Sequence, residues 1–183
     1  VVVGAARAVG VGQNRGNQTE RSRSDWVEGI VTMMDGPMGG QMEEQMVLLQ
    51  NMSTEWGRWM QSVDAQELVV EVEGVGTRAA VTSRVLRPRG ILRRAQWAEN
   101  EMPVELVREA VRLRALMAHP RGGTWTWAAL SMKSSEGYKL ISDFDYDREP
   151  VLDPPYTAED CAKELEVFPR DFGAIPDWMK IGV

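Results

Sequence analysis

Hydrophobic positions from residue 41 onward repeat at the spacing of a helix. Apolar side chains recur three, four or seven residues apart at Met42, Met46, Leu49, Trp56 and Met60. This is the period of an α-helix with one apolar face, and we predict a helix from Gln41 to about Ser62. Residues of these types are usually buried, so we predict that this face lies in the core. The alternative is a docking groove for a partner, since Met repacks readily against varied surfaces.

Alternating patterns further along the chain predict two β-hairpins. Residues 67–75 and 77–86 are β-branched runs on either side of Gly76, and Leu68, Val70 and Val72 alternate with mostly acidic positions. This alternation is typical of a strand with one buried and one solvated face. Residues 124–133 and 137–147 predict a second hairpin, joined by a turn at 134–137.

Five arginines follow the first predicted hairpin within eleven residues, at Arg84, Arg87, Arg89, Arg93 and Arg94. Pro88 and Gly90 lie among them, so we predict a loop here. The cluster is either a patch for RNA or phosphate or a solvated loop balanced by nearby acids. The net negative charge of the whole chain favours the second interpretation.

Two further helices complete the predicted order. Pro103 stands at the favoured first position of a helix that we predict to end at His119. Thr157 and Asp160 have the spacing of a capping box for a short helix over 158–167. The predicted fold is α+β: a small antiparallel sheet of two hairpins packed against helices, in the order α-ββ-α-ββ-α, within a single domain at 41–183.

Residues 1–40 differ from this domain in composition. They are rich in Gly, Arg, Ser and Asn, begin with Val, and show no apolar period from residue 4 to 24. Such a composition is typical of a segment that does not form a hydrophobic core. We predict a disordered tail, or sequence upstream of the true start codon, since several methionines follow it.

Composition excludes several classes of function. The chain carries 27 acidic and 21 basic residues, a net charge of −6, which is the wrong sign for a protein that grips nucleic acid through phosphates. A single cysteine, Cys161, and a single histidine, His119, leave no internal disulfide and no multi-Cys or His-pair zinc site. With no apolar run that could span a bilayer, we expect a cytoplasmic protein. We also expect no membrane contact, no cofactor and no bound metal.

The acidic excess lies at the carboxyl end of the chain. Residues 133–183 hold 12 acidic and 6 basic residues, whereas residues 1–132 hold 15 of each. Period-two alternation places Asp143, Asp145 and Asp147 on one face of the last predicted strand. Residues two apart on a strand are about 7 Å apart, too far for one ion to bridge all three. The acidic face is instead suited to a basic protein partner, and a single-magnesium site is the less favoured alternative.

Motifs along residues 124–179 resemble the YezG-like family of antitoxin or immunity proteins. They are Trp125 and Trp127 entering a strand, Ser135-Glu136-Gly137-Tyr138-Lys139, Asp143-Phe144-Asp145-Tyr146-Asp147, Glu164-Leu165-Glu166-Val167-Phe168-Pro169-Arg170 and Ile175-Pro176-Asp177-Trp178. The resemblance extends more weakly to about Gln41. It implies a small cytoplasmic α+β protein that binds and neutralises a secreted polymorphic toxin, often a nuclease domain.

The leading hypothesis is therefore a non-catalytic immunity protein that blocks a basic nuclease site with an acidic surface. The candidate toxin-binding residues, chosen from alternation and charge, are Asp143, Asp145, Asp147, Glu149, Trp125 and Trp127. One alternative is a metal-dependent phosphodiesterase built on the three aspartates. Another is an adaptor module that docks a partner through the Met and Trp helix.

Overall fold

The helices and strands of the computed structural model confirm the predicted α+β class. The structure describes residues 2–3, 37–90 and 94–182 of the 183-residue chain. The helices are α1 (Pro37–Ser62), α2 (Val104–Leu116) and α3 (Ala158–Val167). The strands are β1 (Val2–Val3), β2 (Glu67–Val75), β3 (Arg78–Arg89), β4 (Arg94–Glu99), β5 (Trp127–Lys133) and β6 (Ile141–Asp145). Short 3₁₀ turns lie at Ser134–Glu136, Phe172–Ala174 and Asp177–Gly182.

The strands form one sheet in the order β1-β6-β5-β2-β3-β4. All neighbours are antiparallel except β1, whose two residues pair in parallel with Ile141 and Ser142 of β6. Strand β2 is central, and its Val72 pairs with Val81 on one side and with Ala128 on the other. The two predicted hairpins are therefore β2–β3 and β5–β6, and they lie side by side.

The prediction of a loop around the arginine cluster is wrong, because the chain forms a further β-hairpin there. Strand β3 runs to Arg89 and β4 returns from Arg94, with Pro88 opposite Ala95. Arg84, Arg87 and Arg89 lie on β3, whereas Arg93 lies outside the described residues. The carboxylate of Glu101 accepts hydrogen bonds from both Arg87 and Arg89. This part of the cluster is thus partly neutralised by the protein itself.

Helix boundaries differ from the prediction at two places. Helix α1 begins at Pro37, four residues before Gln41. The rest of the predicted tail at 1–40 lies outside the described residues, apart from Val2 and Val3 in the sheet. Helix α2 ends at Leu116, and His119 lies in the turn beyond, where its Nδ1 accepts the N–H groups of Arg121 and Gly122. The imidazole therefore stabilises this turn.

The main core lies between the sheet and the two helices α1 and α2. The fully buried Trp56 and Met60 confirm that the apolar stripe of α1 packs inward, together with Leu49. Met42 and Met46 are exceptions, 58% and 65% exposed. Both lie in the first turns of α1, ahead of Leu48, the first buried side chain described on that helix, so the apolar stripe is buried only from there to Met60.

Two side chains fix α1 antiparallel to α2. The Gln41 amide donates to the carbonyl oxygens of Leu116 and Ala118, both at 3.1 Å, and so satisfies carbonyls that a helix end leaves unpaired. Near the other end of α1, Trp56 Nε1 donates to the carbonyl oxygen of Leu106 at 3.2 Å. The two helices are thereby tied at both ends of their contact.

A smaller apolar cluster lies at the tip of the β2–β3 hairpin. Its buried members are Val75, Leu152, Cys161 and Met179, drawn from β2, α3 and the carboxyl-terminal turns. Gly76 makes the close approach possible: its φ is +62°, and a Cβ there would lie 2.8 Å from the Asp160 carbonyl oxygen. The predicted capping box of α3 is confirmed by reciprocal bonds between Thr157 and Asp160.

A buried ion pair joins the two clusters. Arg114 Nη2 of α2 lies 2.7 Å from each carboxylate oxygen of Glu164 on α3, and their side chains are 6% and 0% exposed. Arg114 also donates to the carbonyl oxygens of Trp125 and Gly74, while the Gly76 N–H donates to Glu164 at 2.7 Å. Both charges are therefore paired and hydrogen-bonded, the condition under which buried charges are tolerated.

Cys161 is predicted to be unreactive in the folded protein. The thiol is fully buried, and burial, followed by the charges of Asp160, Glu164 and Glu149, raises its pKa to about 11. At pH 8 only about one thiol in a thousand would then be a thiolate, the reactive form. We expect reaction with a disulfide reagent at pH 8 to be at least about 100-fold slower than in urea-unfolded protein. Comparable rates in the two states would contradict the buried placement.

Candidate functional site

One side of the sheet is not covered by α1 or α2, and we call it the open face. Residues paired directly across antiparallel strands share a face, so the strand registers define it. Its members are Ile141, Asp143 and Asp145 on β6; Trp127, Ala129, Ser131 and Lys133 on β5; Glu67, Val69, Glu71 and Glu73 on β2; Ala80, Thr82, Arg84 and Leu86 on β3; and Trp97 and Glu99 on β4. Helices α1 and α2 cover the opposite side.

The carboxyl-terminal segment covers only one end of the open face. The Val151 N–H donates to the Glu73 carboxylate at 3.1 Å, and the buried Leu152 belongs to the cluster against which Ala80 packs. Toward the other end, Trp97 is 49% exposed and Ile141 is 40% exposed. The larger part of the face, from β6 to β4, is therefore open to solvent.

The open face combines apolar area with an acidic excess. Its strands hold six carboxylates against Lys133 and Arg84, and a third cation, Arg148, lies over Trp127. These cations pair with three glutamates: Arg84 with Glu71 at 3.4 Å, Lys133 with Glu67 at 3.7 Å and Arg148 with Glu73 at 3.9 Å. Exposed pairs of this kind contribute little stability. With six carboxylates and three cations, the net charge of the face is −3.

Asp143 and Glu99 are the two carboxylates of the open face with no hydrogen bond or ion pair among the described residues. They lie on β6 and β4, with three strands between them. Val69 and Leu86 lie between them on the same face. Apolar side chains interspersed with charge, including two unpaired carboxylates, resemble the anatomy of a protein interface, where apolar contact supplies affinity and charge supplies orientation.

Of the three aspartates predicted to share one strand face, Asp143, Asp145 and Asp147, only the first two lie on the strand. Asp145 ends β6, and its Oδ1 accepts the N–H groups of Asp147 and Arg148, both at 2.9 Å. Asp147 therefore leaves the sheet, and its carboxylate is 4.0 Å from Arg170 Nη1 and 81% exposed. The prediction that Asp147 shares the face of Asp143 is wrong. The hydrogen bonds from the Asp145 side chain to the following backbone form a turn, and this turn ends the strand before residue 147.

Glu149 also lies beyond the strand. Its carboxylate accepts a hydrogen bond from the Tyr156 hydroxyl at 2.5 Å. Burial, and then this hydrogen bond and the nearby charge, raise the pKa of Tyr156 to about 12. Glu149 thus has a structural partner and holds the 148–157 segment together.

The two predicted aromatic anchors have different surroundings. Trp125 is fully buried and its ring centroid is 5.7 Å from that of Phe144, so in this structure its side chain presents no surface to a toxin. Trp127 lies on the open face and is partly exposed. The guanidinium carbon of Arg148 lies 4.4 Å from the centre of its ring, a cation–π contact that orients the indole.

The structure does not bring the three aspartates of the metal hypothesis together. Asp145 is engaged by backbone N–H groups and Asp147 lies beside Arg170. Within the described ranges, no group of three or more His, Cys, Asp or Glu side chains is arranged to hold a metal ion. Asp143, Asp145 and Asp147 therefore do not form one three-carboxylate site among the described residues.

Sequence reasoning missed Trp97, Val69, Leu86 and Glu99 as parts of this surface. The alternation in residues 67–75 already placed Val69 among the solvated positions. Trp97 had no assigned face because Pro88 and Gly90 masked the β3–β4 hairpin, although Ala95, Trp97 and Glu99 alternate with Arg94, Gln96 and Ala98. Only the pairing of five strands assembles these positions into one patch.

No model of a known protein family matches the chain, and a search of curated proteins finds no significant match. Of the helices in the described ranges, none combines the length and apolarity needed to cross a bilayer. The function must therefore be inferred from the open face and the sequence motifs.

Proposed function

We propose that the protein is an immunity protein of the YezG-like type, which binds a secreted toxin and holds it inactive. The observation that carries this proposal is the open face: a sheet surface with exposed apolar side chains and a net charge of −3, from Glu67, Glu71, Glu73, Glu99, Asp143 and Asp145 against Lys133, Arg84 and Arg148. The motif resemblance over 124–179 supports the same function.

Charge complementarity points to a nuclease domain as the toxin. A nuclease site is basic where it meets phosphate, and an acidic protein surface can occupy that site in place of nucleic acid. Carboxylates paired with Arg or Lys make strong charge-assisted hydrogen bonds when solvent is displaced. Trp97 and Ile141, which are large and half-exposed, would supply apolar contact from the two outer strands of the face, β4 and β6.

The first test identifies the partner. Tagged full-length protein is used to capture proteins from the source cytosol, and the candidate toxin is then expressed with and without this protein in a sensitive host. We expect one chain with a basic carboxyl-terminal toxin domain, growth arrest when that domain is expressed alone, and normal growth when both proteins are present. A toxin domain that arrests growth equally in both cases would contradict the proposal.

The second test asks whether the open face is the interface. The double variant Asp143→Lys, Glu99→Lys reverses its two unpaired carboxylates without breaking any ion pair among the described residues. We expect affinity for the toxin domain to fall by at least about tenfold, roughly 1.4 kcal/mol or more, measured by calorimetry, with the circular dichroism spectrum unchanged.

A control with the same change in charge reverses two exposed carboxylates elsewhere, one of which, Glu166, forms an exposed pair with Lys163 at 2.9 Å. Glu136 lies in the 3₁₀ turn between β5 and β6, and Glu166 lies on α3. Because neither belongs to the open face, we expect Glu136→Lys, Glu166→Lys to retain affinity within about twofold. Equal weakening by both double variants would mean that overall charge, and not the open face, directs binding.

A further inference from the structure

A second surface that none of the described residues covers lies on the far side of the sheet from the open face. Helices α1 and α2 run side by side above the sheet, and between them is a groove of about 890 Å³. We call this the α1–α2 groove. It extends along α1 from Gly40 to Trp56 and along α2 from Glu105 to Arg112. At 1.5 Å per residue, the α1 side is about 24 Å long, which matches a helix of about four turns.

The groove is strongly acidic. Five carboxylates line it, at Glu43, Glu44, Glu55, Glu105 and Glu109, and the one cation among its lining residues is Arg112. Glu55 is paired with Arg58 at 2.6 Å, and Glu109 is paired with Arg112 at 3.6 Å. Among the described residues, Glu43, Glu44 and Glu105 have no ion-pair or hydrogen-bond partner. Both walls of the groove thus carry unpaired negative charge.

The groove also has an apolar strip between these charges. Val47 projects from α1 and is 53% exposed, and Leu106, which is partly exposed, lines the groove on the α2 side. Below them, Leu48, Met52 and Trp56 form a closed floor with exposures of 4%, 1% and 0%. An occupant must therefore offer apolar contact along its centre and positive charge along both sides.

We propose that the α1–α2 groove docks a basic amphipathic helix of a partner protein. A helix lying between two antiparallel helices can present one apolar stripe to Val47 and Leu106 and place Arg or Lys beside the glutamates on each wall. A nucleic acid or an anionic membrane has the wrong charge for this site. A second copy of this chain, with a net charge of −6, is also poorly matched.

This surface is independent of the immunity function. The groove lies among the helices that cover one side of the sheet, whereas the open face is the other side. A toxin bound at the open face would leave the groove accessible. The two surfaces can therefore be tested separately, and the failure of one does not decide the other.

The test is an NMR titration of the full chain labelled with ¹⁵N. The probe is a synthetic peptide of fifteen Leu and Arg residues, with Leu at the i, i+3, i+4, i+7 spacing of one helix face. The control peptide has Glu in place of each Arg. We expect the Arg peptide to shift the amides of α1 and α2 most strongly and the Glu peptide to leave them unchanged.

Three double variants then locate the site. We expect Glu44→Lys, Glu105→Lys to weaken binding of the Arg peptide by at least about tenfold. We expect Glu136→Lys, Glu166→Lys and the open-face variant Asp143→Lys, Glu99→Lys to keep it within about twofold. All six substituted positions are exposed, and circular dichroism spectra that match wild type verify folding.

Several outcomes would overturn the proposal. They are no shift at millimolar Arg peptide, largest shifts on the open face, and equal weakening by all three double variants. Full competition by spermidine at the same charge concentration would show that charge alone binds there. In that case the apolar strip would have no role. An exposed Val47→Asp substitution that leaves peptide affinity unchanged would lead to the same conclusion.

Discussion

The substitution Arg114→Leu is expected to lower the free energy of unfolding by about 3–5 kcal/mol, because it leaves a buried charge without its partner. Glu164 is completely buried and both its oxygens bind Arg114 at 2.7 Å. The substitution also removes donors from the carbonyl oxygens of Trp125 and Gly74. Only the Gly76 N–H would still bind the carboxylate.

Urea denaturation followed by tryptophan fluorescence measures this effect. The control Arg112→Leu removes a side chain of the same type that is 64% exposed on the same helix, and we expect a loss within about 0.5 kcal/mol. The double variant Arg114→Leu, Glu164→Leu should recover part of the loss, since no charge remains buried. An Arg114→Leu loss below about 1 kcal/mol would show that water reaches Glu164.

Trp56→Ala is expected to cost a similar amount, about 3–5 kcal/mol, since it removes one of the two largest fully buried side chains of the main core. The indole is fully buried, and its Nε1 donates to the Leu106 carbonyl oxygen at 3.2 Å. The substitution therefore removes both core volume and one of the two ties between α1 and α2.

The same denaturation series separates these contributions. Trp56→Phe keeps most of the ring volume and loses the hydrogen bond, so about 1 kcal/mol of the loss is expected to come from that bond. Met46→Ala is the control on the same helix, because Met46 is 65% exposed and should cost no more than about 0.5 kcal/mol. If Met46→Ala and Trp56→Ala cost the same amount, α1 does not pack as described.

The fold class and most elements follow from local patterns in the sequence. The period of α1, the alternation of β2 and the capping box of α3 are each set by neighbouring residues, and each prediction was confirmed. The β3–β4 hairpin was missed because Pro88 and Gly90 usually end strands. In the sheet, Pro88 lies beyond the last pairing of β2, which is at Leu86, so β3 has only one neighbour there and tolerates a residue without an N–H.

The candidate site could be predicted only in part. Period-two alternation places Trp125 and Trp127 on one face, but Thr124, Trp125 and Thr126 are all fully buried. Thr126 bonds across to Asp145 and Arg148, and the regular strand starts one residue later. The position of Asp147 was mispredicted for a related reason. The Asp145 side chain binds the next backbone N–H groups and ends the strand. Contacts between distant segments decide both cases.

The separation of the apolar interior into two clusters has a consequence for how the molecule opens. The smaller cluster holds α3 and the last turns against the hairpin tip, and segments of this kind can detach while the main core stays closed. Cys161 is the one cysteine of the chain and lies inside that cluster. Its rate of modification therefore reports how often α3 detaches, so the protein contains its own probe of partial unfolding at the carboxyl end.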